Sequence, residues 1–215
     1  MVYASQIQGQ RLHFAVSGKL WNRSLVMVDE ETQTLWSHLL GRAMEGKLSG
    51  TRLKTLPAAL TDWESWRKEY PETTVLMMSR TGKEFTRDFY ANPARFVLGL
   101  HHKGRAKAWP FDQLSKQPLV NDTVAETPVV VSFDTQTGAG YLYERRLDGQ
   151  TLTFQQQGRA ILDQQTGSTW NMARGEATQG PLSGKRLPTL VAIPSFRKGW
   201  RVFHPDSELW QAPSP

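Results

Sequence analysis

The chain has 215 residues, a formal charge of +6 and a pI near 9.7, long enough to bury a sizeable core as one large unit or two small ones. It has no cysteine, which excludes disulfides, thiolate nucleophiles, zinc ribbons and iron–sulfur clusters built from these residues, and no apolar run reaches the roughly 18 residues of a membrane-spanning helix. Lys and Arg are scattered, densest at 101–107 and 197–201, with no helix-turn-helix, zinc-finger or RNA-recognition signature, so no nucleic-acid partner is expected.

Taken in chain order, the start at Met1 shows neither a charged leader nor an apolar h-region, so no signal peptide is visible. Short strands are expected on either side of a turn at Asp29–Gln33, over residues 25–28 and 34–36. One clear helix is expected over 62–70. Thr61 and Glu64 fit a capping box, Trp63, Trp66 and Tyr70 fall on one face, and Pro71 ends it. Residues 96–100 and 106–109 read as a hairpin turning at Lys103-Gly104. A meander follows: a strand over 128–133, a turn at 135–138, a strand over 141–146, a sharp turn at Asp148-Gly149, a strand over 151–154, then strands either side of 163–167.

The chain also contains a repeat. With a shift of 134, 17 of the 48 positions from 29 to 76 are identical to those from 163 to 210, without a gap; chance would give about three. Asp29, Thr32, Trp36, Gly41, Ala43 and Gly46 lie over Asp163, Thr166, Trp170, Gly175, Ala177 and Gly180. Upstream the shift becomes 140, so Tyr3, Leu12 and Phe14 lie over Tyr143, Leu152 and Phe154. The first copy therefore carries six extra residues between Phe14 and Asp29. In the second copy Thr61, Glu64 and Ser65 become Ser195, Lys198 and Gly199, so that helix should be shorter or frayed. The first copy has nothing to match the 128–133 strand, which predicts an open sheet edge at residues 2–8 and possible edge-strand pairing there.

The duplication sorts the candidate site residues. A residue kept in both copies serves the shared fold, and one found in a single copy is free of that explanation. The insertion reads as a polar loop over 16–24, with Ser17, Lys19, Trp21, Asn22 and Arg23 as candidates for gripping a small polar or anionic ligand. Trp21, unmatched in the other copy, is the candidate for ligand stacking. Gly18-Lys19 is no phosphate-binding P-loop, since Leu20 stands where Ser or Thr is needed. His38, two residues after Trp36 and replaced by Met172 in the other copy, completes the set. Asp29 and Asp163 read as turn caps, Arg52 and Arg186 as braces or partners of an acid, and the matched Trp residues as core. Adjacent His101 and His102 would face opposite sides of a strand and could not easily share a metal. No metal-binding spacing and no cofactor motif is found.

Residues 14–27 with Asp29, Thr32, Trp36 and 41–43, then 97–99, 106–110, 120–124 and 128–131, resemble a bacterial and archaeal family known only as domain of unknown function 3179. The resemblance covers nearly the whole chain and implies an extracytoplasmic home. It also implies a Cys-Pro-Leu motif just before the strand matching residues 2–5, which this sequence does not contain. The expected fold is mainly β, with two pseudo-symmetric antiparallel repeats, each with a short helix, packed as one unit. The repeats are placed at 1–80 and 95–215, with a connector over 81–94. The expected function is a non-catalytic binding or scaffold domain outside the cytoplasm. The alternative is a shortened enzyme whose intact relatives use the cysteine motif for redox or metal chemistry.

Overall fold

The structure is a computed structural model and describes residues 1–58, 61–75 and 92–213. The first half opens with Val2–Tyr3, paired antiparallel with Thr55–Leu56. A tight hairpin, Gln6–Ile7 with Gln10–Arg11, follows. Its turn puts Gln8 and Gly9 at φ 49° and 84°, the left-handed pair that matches strand twist. Next comes a four-stranded antiparallel meander of Phe14–Trp21, Ser24–Asp29, Leu35–Ser37 and Arg42–Glu45. Helix α1 spans Trp63–Glu69.

The second half begins with a hairpin, Phe96–His102 and Arg105–Pro110, turning at Lys103 and Gly104 as expected. The short helix α2 (Phe111–Leu114) leads to a three-stranded sheet of Leu119–Val124, Thr127–Phe133 and Gly140–Glu144. A tight hairpin and a meander repeat the first half's plan, with strands Phe154–Gln157, Ala160–Asp163, Thr169–Asn171 and Glu176–Gln179. Ile193–Phe196 then returns to pair with Phe96–His102. Helix α3 spans Arg197–Phe203, and Glu208–Leu209 closes the far edge of Arg105–Pro110 as the one parallel pairing among the described strands. The fold is mainly β with a duplicated antiparallel plan.

The two copies share their hydrogen bonds as well as their residues. Asp29 and Asp163, both fully buried, accept from the indole N–H of Trp36 and Trp170 at 2.8 and 2.9 Å. The same carboxylates accept from the Thr32 and Thr166 amides at 2.6 Å each. Those threonine hydroxyls sit 2.6 and 2.7 Å from the Thr34 and Ser168 hydroxyls. Phe14 meets Trp36 edge-on, as Phe154 meets Trp170. Each aspartate therefore caps its turn and satisfies a buried indole, as paired polar groups in a core must.

Four sequence expectations need correction. Residues 16–24 are not a loop: the insertion lengthens a β-hairpin, with a bulge between Val16 and Leu20 and a two-residue turn at Asn22 and Arg23 (φ 49° and 61°). The edge at residues 2–8 is not wholly open, because Thr55–Leu56 covers one side of Val2–Tyr3 and Gln6–Ile7 pairs within its own hairpin. The cap of α1 is Asp62, whose carboxylate accepts from the Ser65 amide at 2.9 Å; a carboxylate also faces the positive end of the helix favourably. Finally, α3 matches α1 at seven residues. It has no side-chain cap, but Trp200 is fully buried against Val97 and Ala108, and tertiary packing outweighs the missing cap. Of the expected connector, residues 81–91 lie outside the described residues; Pro93–Arg95 form a single 3₁₀ turn.

Candidate functional site

The strand pair Phe96–His102 and Arg105–Pro110 and the strand Leu119–Val124 have no counterpart among the described residues of the first half. A groove of about 530 Å³ lies against them, bordered by the hairpin turn, by residues 123–125 and by the segment that leaves α3. At one end the rings of His101 and His204 stack, 5.4 Å apart and 25° from parallel. His204 also lies against the Trp200 ring at 4.2 Å. Burial, aided by the neighbouring His101, pushes His204 down to about 4, so its imidazole is neutral at pH 7 and offers one donor and one acceptor.

The other end is charged. Lys107, only 8% exposed along its side chain, bonds Glu208 at 2.6 Å and Asp122 at 3.0 Å. Asp122 also accepts from the Trp109 indole at 2.9 Å. Burial alone would lower the Lys107 ammonium, but the bonds to Glu208 and Asp122 outweigh it and hold it above the ordinary lysine value. Lysine and its acids thus tie three strands together beneath the groove. Arg105, exposed beside them, makes no ion pair among the described residues.

The Ser207 hydroxyl accepts from the Trp200 indole at 2.7 Å and donates toward the Glu208 carbonyl. His102, on the opposite strand face, has Nε2 3.1 Å from the buried Thr127 hydroxyl. Among the described residues no three His, Asp or Glu side chains converge on a point a metal ion could occupy.

The residues singled out in the sequence are divided among three places. Trp21 does not line the groove but supports its wall: it packs edge-on against Phe203, 5.0 Å between ring centres, and Phe203 is part of that wall. Asn22 and Arg23 form the turn next to it. Ser17 and Lys19 instead line a shallow hollow with Gln33 and Glu45. There the Ser17 hydroxyl donates to the Val26 carbonyl at 2.5 Å and accepts from the Lys19 amide at 3.1 Å, which braces the bulge and leaves no nucleophile–base pair. His38 lies apart from both, half-buried beside Tyr3, whose hydroxyl donates to the His38 carbonyl at 2.5 Å; burial lowers its imidazole below the ordinary value. Lys107, Asp122, His204 and Glu208 went unselected in the sequence. The copy comparison carried a signal for His204, which replaces Tyr70, but none for a lysine whose partners lie 15 and 101 residues away along the chain.

A family model described as protein of unknown function (DUF3179) matches residues 1–95 and 90–214. No curated protein and no solved structure matches the chain.

Proposed function

We propose, for a chain that belongs to the DUF3179 family, a non-catalytic binding domain that takes a small polar ligand with an anionic group into the groove between His101, Arg105 and His204. The observation that supports it most is the stacking of His101 on a neutral His204 beside a guanidinium that has no ion pair of its own among the described residues, above a lysine held by two carboxylates. Such a site offers directional hydrogen bonds and an unpaired guanidinium at Arg105, with the Asp206 carboxylate elsewhere on the wall limiting how much negative charge a ligand can bring. Trp21 supports the wall through Phe203, which gives the insertion a part in the site. The enzymatic alternative needs a cysteine that this sequence does not hold, and the Ser207 hydroxyl in the groove wall is engaged by the Trp200 indole. The extracytoplasmic setting implied by the resemblance belongs to the same proposal, and fractionation of tagged cells tests it.

Calorimetric titration with citrate and with inorganic phosphate at pH 7 tests the groove. Wild-type protein should bind at least one of them, and the double substitution H101A/R105A should weaken that binding about tenfold or more, the loss of a charge-assisted hydrogen bond. Unchanged affinity in the double variant, or no binding of either anion, would overturn the reading.

A further inference from the structure

A second feature emerges where the copies agree in backbone and differ in charge. In the second half, Glu176 and Arg186 face each other across an antiparallel bridge. Their side chains form an ion pair, with Glu176 Oε2 2.8 Å from Arg186 Nη2 and 3.1 Å from Nε. The matched positions in the first half are Arg42 and Arg52, which also face each other across an antiparallel bridge. The surrounding frame is the same. The Leu53 amide donates to the Gly41 carbonyl at 2.7 Å, as Leu187 does to Gly175 at 2.8 Å. Gly41 and Gly175 take φ 57° and 62°, and a Cβ on either would run into the ring of Tyr3 or Tyr143. At the bridged pair itself one residue differs, with the opposite charge: Arg42 stands where the second half has Glu176, while Arg52 matches Arg186.

Directly opposed residues of an antiparallel pair project from the same face, close enough to interact, and like charges placed there repel. Arg42 and Arg52 are both exposed, and among the described residues neither has an acidic partner. We infer that Arg42 and Arg52 form a clamp for an oxyanion group, phosphate or carboxylate, which sits where the Glu176 carboxylate sits in the other copy. Two planar guanidiniums on one face can each present a donor fork to a tetrahedral or planar oxyanion, as an ammonium cannot. The second half shows what such a clamp holds, because there the carboxylate is supplied by the chain itself. The inference is independent of the groove.

The test rebuilds the missing acid. R42E should form an internal ion pair with Arg52 and raise the melting temperature in chloride buffer. Inorganic phosphate and acetate, each at matched ionic strength, distinguish the two anion sources. At least one should raise the wild-type melting temperature, shift the Arg42 and Arg52 Nε–Hε signals in ¹⁵N-resolved spectra, and bind R42E at least tenfold more weakly. In H101A/R105A the same signals should still shift. Equal anion response in wild type and R42E, or a response lost in H101A/R105A and kept in R42E, would overturn the clamp. The second of these outcomes would leave the groove standing.

Discussion

Asp29 shows how much one side chain can carry. Burial by itself would raise its carboxyl, but hydrogen bonds from the Trp36 indole and from the Thr32 hydroxyl and amide more than compensate, so it lies below the ordinary aspartate value of 3.8. A carboxylate depressed on folding stabilises the protein fully above its unfolded value, and the contribution is lost as pH falls through the depressed one. D29N should therefore cost about 1–3 kcal/mol at pH 7, the range for a disturbed buried hydrogen-bond group, and should flatten the loss of stability below pH ~4. Urea titrations of both proteins from pH 6 to pH 2 measure the two effects together. An unaltered acid limb would mean that Asp29 does not titrate with unfolding. The sequence made this aspartate legible because it occurs twice at a turn start; its bond to the tryptophan seven residues on was hidden, since only the meander brings them together.

At the scale of elements, periodicity and turn chemistry revealed the hairpins, and three-dimensional packing decided the rest. Gly104 and Asp148-Gly149 mark tight turns, because glycine takes a left-handed φ without strain and aspartate tolerates it. Helix α3 looked weak because its capping residues are missing, yet a fully buried Trp200 holds it in place. That burial depends on Gly99, where a Cβ would lie 2.3 Å from the Trp200 ring. G99A should thus force α3 away from the strand and cost about 1–3 kcal/mol, as overpacked cores do. Thermal denaturation followed by tryptophan fluorescence reads it, and a melting temperature equal to wild type would contradict the tight contact. The insertion read as a loop because its polar residues and Gly18 suggested no strand period; a bulge stitched by Ser17 breaks the alternation that pattern reading needs.

For the whole molecule, the groove was the least legible part. Its ion pairs join strands far apart in sequence, and composition cannot show which lysine meets which acid. The expected boundary between repeats, between residues 80 and 95, carries a consequence for stability. The first half's buried cluster is small, made of Ile7, Leu12, Trp36, Ala43 and Leu53. The largest cluster spans the strands that only the second half possesses, with Leu98, Leu100, Val129 and Val131 at its centre. Smaller apolar cores open at lower free energy. Amide hydrogen exchange should accordingly be faster across residues 26–36 than across 97–100, and uniform protection would show the two halves opening as one.

The halves also hold one another crosswise. Trp21 of the first rests on Phe203 of the second, while Asn171 and Arg174 of the second grip Glu69 at the end of α1, with the Arg174 guanidinium over Tyr70. Were the gene cut between residues 80 and 95 and its products made as separate polypeptides, each would carry bare the aromatic surface that the other covers in the whole chain. The architecture thus already contains the makings of a split reporter, in which reunion of the pieces restores the whole.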